Sequence, residues 1–271
     1  MPTHTPTDNP VATDADLERR FGGLRRLYGA TDYTRLRQLR VAVVGLGGVG
    51  SWAVEALARS GVAALTLVDF DHVAESNMNR QVQATSATLG MAKTDALRAR
   101  IHAINPACAV ACVEQFVEPG QWPGMLPDAV DALIDACDQV SAKAELAAWA
   151  VAAKVPVVCA GAAGGKRDAS RLQIDDLAHV THDPLLAALR TRLRRDHGLN
   201  GHKTFGVACV FSREPVLLPE ARIDADASEL AVDGTLNCHG YGSSVMVTAS
   251  MGMMAAAELI RLALARNARL A

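Results

Sequence analysis

A glycine-rich loop between a short apolar strand and an amphipathic helix constrains the fold of this chain most strongly. Val41–Val44 predicts a buried β-branched strand, and Gly50–Ser60 carries apolar residues at helical spacing. The loop between them reads GLGGVG and contributes Gly45, Gly47, Gly48 and Gly50. Glycine permits a tight turn, and it lets backbone N–H groups at a helix N-terminus approach an anionic group closely. The pattern therefore predicts a phosphate-binding loop at the first βα turn of a parallel sheet.

Strand and helix patterns continue to alternate after this loop. The predicted strands are Ala64–Asp69, Ala109–Val113, Ala129–Ile134 and Val155–Cys159, and the predicted helices are Thr88–Ile104 and Lys143–Ala153. Such alternation indicates an α/β fold with a doubly wound, mostly parallel, Rossmann-like sheet. Residues after Gly161 are less regular, and we interpret them as a C-terminal extension of the same sheet. The extension ends in a helix predicted over Val245–Arg266.

The composition differs between a short N-terminal tail and the rest of the chain, which we expect to fold as one unit. Half of the 271 residues are hydrophobic but only 4% are aromatic, so Ala, Val, Leu and Ile must build the core. Residues 1–16 are rich in Thr, Pro and Asp, which predicts a disordered N-terminal tail. Residues 17–271 predict one domain, with a nucleotide-binding part at about 41–165 and a substrate or dimer part at about 166–271. The apolar run Val245–Ala257 is shorter than the roughly 20 residues that a membrane span needs, which favours a buried or subunit-facing helix.

Charge and cysteine usage exclude several classes of protein. The 27 basic and 29 acidic side chains give a net charge of −2, so the chain is no polycation, and any nucleic-acid contact must come from local basic patches. Its six cysteines form no C-x-x-C pair, which argues against a structural zinc site and against a disulfide framework. The N-terminus has no apolar signal segment. We therefore expect a cytoplasmic protein, and the sequence leaves peripheral membrane association open.

Charged residues beyond the second and fourth predicted strands narrow the choice of nucleotide. Asp69 ends a strand, where a carboxylate can accept hydrogen bonds from ribose hydroxyls. Arg80 and Lys93 can neutralise a triphosphate, and Asp138 can hold Mg²⁺ that bridges phosphates at the carboxyl edge of the sheet. A nicotinamide dehydrogenase needs none of these three residues. The set therefore favours ATP, and an NAD-binding redox domain remains the alternative.

The order of these motifs resembles the ubiquitin-activating-enzyme superfamily, the adenylating family of the ThiF, MoeB and HesA proteins. The matching segments are Gly45–Ser51, Asp69–Asp71, Asn77–Gln81, Ala92–Lys93 and Asp135–Asp138. The resemblance implies an ATP site formed by Gly45, Gly47, Gly48, Gly50, Asp69, Asp71, Asn77, Arg80, Gln81 and Lys93, with Mg²⁺ on Asp138. It also implies a homodimer in which Arg20, just before Phe21, reaches the ATP bound to the partner. Arg20, Arg80, Lys93 and Asp138 are accordingly the candidate catalytic residues.

Further segments are similar to one branch of this superfamily, called TcdA or CsdL, whose members are tRNA threonylcarbamoyladenosine dehydratases. These segments are Arg20–Gly23, Leu27–Gly29, Gly161–Gly165, Asp183–Leu185 and Gly206–Ser212. The branch implies ATP-dependent cyclisation of the modified adenosine through an acyl-adenylate, with release of AMP and pyrophosphate. The missing C-x-x-C pairs distinguish this chain from the zinc-holding carrier-protein enzymes. Two alternatives stay open, namely adenylation of the C-terminus of a ubiquitin-like sulfur carrier and a non-catalytic scaffold for sulfur-transfer proteins.

The same branch implies two kinds of partner. For tRNA, basic residues after Gly165 are candidate contacts, although a solvated helix face explains them equally well: Lys166, Arg167, Arg171, Arg190, Arg192, Arg194, Arg195 and Lys203. Members of the branch are also associated with cysteine-desulfurase sulfur transfer. That association makes Cys238 a candidate sulfur acceptor, although a buried small hydrophobic residue is the favoured interpretation of this cysteine.

Overall fold

The computed structural model describes residues 14–199, 203–217 and 241–270, and within them seven strands form one sheet. The strands are β1 (Arg40–Val44), β2 (Ala64–Val68), β3 (Ala109–Val113), β4 (Ala132–Asp135), β5 (Val157–Ala160), β6 (Leu172–Asp176) and β7 (Ala208–Ser212). Their spatial order is β3-β2-β1-β4-β5-β7-β6, and every pair is parallel except β6 with β7. The predicted α/β class and the mostly parallel sheet are confirmed. The extension joins the same sheet through β6 and β7.

Helices cover both faces of this sheet. They are α1 (Asp14–Phe21), α2 (Gly23–Leu36), α3 (Gly50–Arg59), α4 (Lys93–Ile104), α5 (Val140–Ala152), α6 (Pro184–Asp196) and α7 (Val245–Leu270). Side chains alternate along β1, so Val41 and Val43 pack in the apolar cluster with α3, α4 and α7. Ala42 and Val44 point to the opposite cluster, where α5 and α6 pack. A strand buried on both faces explains the continuous apolar sequence of β1.

Most predicted boundaries differ from the structure by one or more residues, and two of these differences have a bearing on the site and on the N-terminal tail. The helix predicted from Thr88 begins instead at Lys93, because Gly90 adopts a positive φ of 78° and its N–H donates to the Val73 carbonyl. Residues 88–92 therefore form a turn beside the chain that leaves β2, and Lys93 becomes the first residue of α4. The N-terminal helix begins at Asp14, inside the predicted tail, and residues 1–13 lie outside the described residues.

Helix α7 is long and apolar enough to cross a membrane by length and composition alone. One side of it is nevertheless a core face, since Val247, Met251, Ala255 and Leu259 recur every four residues and are all fully buried. At Gly252 the helix approaches α3 so closely that a Cβ would lie 2.4 Å from the Val49 carbonyl oxygen. This packing agrees with the prediction of a buried or subunit-facing helix.

Candidate nucleotide-binding site

A cavity of about 620 Å³ opens at the carboxyl ends of β1, β2, β4 and β5, where α/β sheets bind ligands. Ten of the eleven residues that the sequence assigns to ATP and Mg²⁺ line it: Gly45, Gly47, Gly48, Asp69, Asp71, Asn77, Arg80, Gln81, Lys93 and Asp138. Gly50 is the eleventh, and it does not line the cavity. The fold thus brings together residues that are up to 93 positions apart, from Gly45 to Asp138.

The glycine loop is shaped by close backbone contacts. Gly45 has a positive φ of 84°, and a Cβ there would lie 2.6 Å from the Cys137 nitrogen. A Cβ at Gly50 would lie only 1.8 Å from the Gly45 carbonyl oxygen. Gly50 is therefore required for packing of the loop against its own helix, whereas Gly47 and Gly48 face the cavity.

Asp69 holds the glycine loop and the segment after β2 in one arrangement. Its Oδ2 accepts from the Leu46 N–H at 2.6 Å, and its Oδ1 accepts from the Asp71 N–H at 2.8 Å. Burial raises the pKa of the Asp69 carboxyl, although nearby Lys93 and these two N–H donors oppose the shift. Each carboxylate oxygen keeps a lone pair, so Asp69 can still accept hydrogen bonds from ribose hydroxyls.

Lys93 is almost buried, with 7% of its side chain exposed, and it lies between two carboxylates. Its Nζ is 2.7 Å from Asp71 Oδ2 and 4.0 Å from Asp69 Oδ1. Its backbone N–H also donates to the Asp71 carbonyl oxygen at 3.0 Å. Both the side chain and the start of α4 are thus anchored to the end of β2, which positions the ammonium in the cavity.

Arg80 is anchored through its backbone and has an exposed guanidinium. Its carbonyl oxygen accepts from Trp52 Nε1 at 3.0 Å, while its Nη1 donates to the Ser76 carbonyl oxygen at 2.6 Å. The neighbouring Asn77 and Gln81 are buried. Asn77 Oδ1 accepts from the Ala74 N–H at 3.1 Å, so this side chain shapes the turn that carries Arg80.

Asp138 lies on the loop after β4, and the buried ion pair of Lys143 and Asp135 anchors this loop. Lys143 Nζ is 3.0 Å from Asp135 Oδ2, and neither side chain is exposed. Lys143 also donates to the Cys137 carbonyl oxygen at 2.9 Å, and Asp135 Oδ1 accepts from the Cys137 thiol at 2.9 Å. Burial would lower the pKa of Lys143, but Asp135 outweighs it and raises that pKa. Both members of the pair thus bond to Cys137, the residue immediately before Asp138. The exposed Asp138 carboxylate faces the cavity.

Sequence reasoning missed Lys143 as a functional residue. The signal was a lysine within the otherwise apolar helix α5, VSAKAELAAWAVA. Burial raises the pKa of Cys137, Cys159 and Cys209, the cysteines near this pair, well above the usual value, which disfavours their thiolate forms. Cys238 lies outside the described residues.

Several predicted residues lie away from the cavity. Arg20 donates from Nη1 to the Ile104 carbonyl oxygen at 2.8 Å, at the C-terminal end of α4, so its role toward a partner's ATP stays a prediction. Lys166 requires a correction, because it is buried and its Nζ donates to the backbone carbonyls of Glu214 and His182. A side chain enclosed in this way cannot reach an RNA phosphate, and Lys166 leaves the set of candidate tRNA contacts.

The remaining basic residues differ in how far they are already paired. Arg190 is half-buried and donates to the carbonyls of Leu177 and Val180. The other six are surface residues that pair with a carboxylate, stack on an aromatic ring or project freely: Arg171 with Asp168, Arg192 and Arg195 with Asp196, Arg194 over the Phe205 ring, and exposed Arg167 and Lys203. Arg167 and Lys203 are therefore the exposed candidates whose side chains have no partner among the described residues.

The cavity thus combines a glycine loop with an acid at a strand end, two cations and a second acid after the fourth strand. This combination defines a nucleotide-binding protein of the adenylating class. The chain belongs to the ThiF family, whose model matches residues 20–270. It is 41% identical to the tRNA threonylcarbamoyladenosine dehydratase of Haemophilus influenzae over 248 residues, which are 90% of this chain and 93% of that protein. The enzyme of the same name from Escherichia coli is 40% identical over 264 residues, 96% and 98% of the two chains.

Solved structures show the same likeness. The crystal structure of the E. coli tRNA N6-threonylcarbamoyladenosine dehydratase TcdA in complex with ATP superposes with a TM-score of 0.84 at 39% identity, and the match covers 96% of this chain and 99% of that one. The molybdopterin-synthase adenylyltransferase of E. coli is 39% identical over only 127 residues, or 47% of this chain. The likeness to the dehydratases thus extends through the C-terminal part, whereas the likeness to the adenylyltransferase covers about half of this chain.

Proposed function

We propose that this protein is an ATP-dependent tRNA threonylcarbamoyladenosine dehydratase, which closes the threonylcarbamoyl group of the modified adenosine into a ring. The observation that carries the proposal is the near full-length similarity to enzymes of that name, one of them solved with ATP, together with a cavity lined by the matching residues. A ThiF-type fold supports adenylation as the activating step. The half-length match to an adenylyltransferase disfavours the sulfur-carrier alternative.

The chemistry requires activation of a poor electrophile. The substrate's threonine carboxylate would have to expel an oxide, so it first attacks the α-phosphate of ATP and releases pyrophosphate. The carbamoyl group then attacks the carbonyl of the acyl-adenylate and loses a proton, and AMP leaves with the former carboxylate oxygen. The net change in the nucleoside is loss of one water. Because both reacting groups belong to the substrate, the enzyme needs no nucleophile of its own and acts by positioning and charge stabilisation.

The cavity residues divide this task. The loop of Gly47 and Gly48 and the N-terminus of α3 present backbone N–H groups to phosphate. Arg80 and Lys93 neutralise the charge that develops on the departing pyrophosphate. Asp69 accepts from the ribose. Asp71 holds Lys93 in the cavity through the 2.7 Å contact, so that this ammonium is positioned before the nucleotide arrives.

Asp138 has the properties that a magnesium ligand needs. Its carboxylate is exposed at the cavity, and among the described residues it forms neither a hydrogen bond nor an ion pair. Mg²⁺ takes one or two protein carboxylates and completes its shell with phosphate oxygens and water. Within the described part of the chain no group of three metal-ligating side chains occurs, and phosphate oxygens and water would supply the other ligands. Bound there, Mg²⁺ would offset phosphate charge.

The proposal includes a cytoplasmic homodimer in which Arg20 completes the partner's site. Arg20 is exposed and, among the residues that the structure describes, its guanidinium donates to backbone carbonyls of α4 alone, so it can exchange those carbonyls for a phosphate of another subunit. For tRNA, exposed Arg167 and Lys203 support a contact surface after the Gly161–Gly165 segment. Cysteine-desulfurase sulfur-transfer proteins remain a further proposed class of partner.

The direct test is incubation with ATP, Mg²⁺ and tRNA that carries threonylcarbamoyladenosine, followed by mass analysis of the nucleosides. The expected product has lost one water, and AMP forms in equal amount. Arg80→Ala and Asp138→Asn should each lower turnover by about 10²–10³-fold, because each removes preorganised charge stabilisation. Arg98→Ala, on the outer face of α4, is the control and should retain full turnover. ATP–pyrophosphate exchange that responds to a small protein ending in Gly-Gly, and not to tRNA, would overturn the proposal.

A further inference from the structure

The side-chain amide of Asn79 links the Arg80 guanidinium to the start of helix α7. Asn79 Oδ1 accepts from Arg80 Nη1 at 3.0 Å, and Asn79 Nδ2 donates to the Ser243 carbonyl oxygen at 2.9 Å. The second bond joins segments that are 164 positions apart in the sequence. No step of the proposed reaction uses Asn79 directly, so this bridge needs a separate explanation.

The bridge fixes one side of the Arg80 guanidinium. An arginine has five N–H donors, and two of them are on Nη1. Nη1 of Arg80 donates to Asn79 Oδ1 and, at 2.6 Å, to the Ser76 carbonyl oxygen. Among the described residues, Nε and Nη2 of Arg80 have no partner, and this edge of a guanidinium can donate two parallel hydrogen bonds to one oxyanion. Because Nη1 is held, the Nε–Nη2 edge is the one that remains for a phosphate.

The Ser243 carbonyl, to which Asn79 donates, belongs to an anchored segment. On one side of it, the Gly242 carbonyl oxygen accepts from the Gly165 N–H at 2.9 Å. On the other side, the Ser244 carbonyl oxygen accepts from the Thr248 N–H at 3.0 Å in the first turn of α7. Ser243 therefore offers Asn79 an acceptor whose position is set by contacts on both sides.

Helix α7 approaches the same region a second time, through the buried side chain of Thr248. Thr248 Oγ1 lies 3.5 Å from the Arg80 carbonyl oxygen. A Cβ on Gly48 would lie 3.0 Å from Thr248 Cγ2. The first turn of α7 thus packs against both the turn that carries Arg80 and the glycine loop.

We infer that Asn79 is a positioning residue, which holds the Arg80 guanidinium against the start of α7 so that its Nε–Nη2 edge is set for a phosphate before ATP arrives. This inference rests on the proposed function, in which Arg80 offsets charge on the departing pyrophosphate. A donor that is oriented in advance stabilises developing charge without reorganisation during the reaction. Through Asn79, the C-terminal part of the chain supports a residue of the nucleotide-binding part.

The test is a double-mutant cycle between Asn79→Ala and Arg80→Ala. In the presence of Arg80, Asn79→Ala should lower the single-turnover rate of AMP formation by about tenfold, the loss expected for one hydrogen bond to a charged group. In the Arg80→Ala background, Asn79→Ala should change this rate by less than about twofold, because no guanidinium remains to be positioned. A merely structural role of Asn79 would lower the rate in both backgrounds.

Asn79→Asp tests the bond to Ser243 separately. A carboxylate keeps an acceptor for Arg80 Nη1, but it cannot donate to a carbonyl oxygen. Its charge also competes with phosphate for Arg80, so the rate of AMP formation should fall by at least about tenfold. Met78→Ala is the matched control, because it truncates an exposed neighbour that does not line the cavity, and it should keep the wild-type rate.

The same cycle, measured on the Kd for ATP by calorimetry without tRNA, separates this inference from the proposed function. Asn79→Ala should weaken ATP binding by about threefold to tenfold, and only while Arg80 is present. Equal losses in both backgrounds, an unchanged rate and Kd in Asn79→Ala, or a wild-type rate in Asn79→Asp would each overturn the inference. A wild-type protein that binds ATP but dehydrates no modified tRNA would refute the proposed function, and the cycle on ATP binding would then decide the role of Asn79.

Discussion

Replacement of Lys143 by methionine is the sharpest test of how the site is supported. Lys143 and Asp135 are both fully buried and 3.0 Å apart, so the loss of the ammonium leaves a carboxylate without its counter-charge in the core. Methionine has a similar length, and hence a cavity contributes little to the effect. Removing one partner of a buried ion pair costs about 3–5 kcal/mol of folding free energy. For a domain of this size that loss corresponds to a decrease in Tm of roughly 6–20 °C.

Urea unfolding at pH 7, followed by circular dichroism, measures this loss directly. Lys154→Met is the matched control, because Lys154 is exposed just after α5 and its replacement should change stability by less than about 0.5 kcal/mol. Adding Asp135→Asn to Lys143→Met removes the buried charge and leaves an oxygen to accept from the Cys137 N–H, so the double variant should be more stable than Lys143→Met. A loss below about 1 kcal/mol for Lys143→Met, or no recovery in the double variant, would refute the reasoning.

Three further predictions concern other parts of the molecule. Burial opposes ionisation of Glu55, but hydrogen bonds from Arg100 and Arg59 outweigh it and hold its pKa below the usual value. Glu55→Gln should therefore cost about 1–3 kcal/mol at pH 7, and the cost should vanish in acid as pH falls through the lowered pKa, as pH-dependent urea unfolding would reveal. Gly45→Ala should abolish thermal stabilisation by ATP, because its Cβ would meet the Cys137 nitrogen at 2.6 Å. Arg167→Ala should weaken tRNA binding and reduce its log–log salt slope by about 1, in filter binding across several salt concentrations.

The sheet was largely predictable because its signals are local. Each strand from β1 to β5 is an apolar run followed by turn residues, and the glycine loop fixes which of them begins the nucleotide site. The start of α4 was not predictable in the same way. Residues from Thr88 onward have helical spacing, yet Gly90 and Met91 pair with Val73 across the chain that leaves β2. A contact between segments that are separated in sequence overrides the local preference there.

Whether a site residue could be predicted depends in the same way on whether its signal is local. Asp69 directly follows β2, Asp138 lies three residues after β4 and Lys93 begins α4, so the topology brings these three to one edge of the sheet. Arg80 lies instead on a turn after the short 3-10 helix Glu75–Asn77. The Lys143–Asp135 pair could not be predicted in this way, because its prediction requires knowing which strand end packs against α5. Lys166 shows the opposite error, since a lysine that the sequence made a candidate tRNA contact is in fact buried and donates to the backbone carbonyls of His182 and Glu214. Sequence spacing identifies which charges exist, but only packing decides which of them reach solvent.

The charges around the cavity bear on the proposed magnesium ion and on the proposed contribution of Arg20 from a second subunit. Three carboxylates line it, Asp69, Asp71 and Asp138, against the two cationic side chains Arg80 and Lys93. Lys93 is moreover already paired with Asp71 at 2.7 Å. A triphosphate that enters this lining needs added positive charge, since the helix N-terminus of α3 supplies only about half an elementary charge. The imbalance therefore favours entry of the nucleotide as its magnesium complex, and it gives an arginine from a second subunit a physical reason to complete the site.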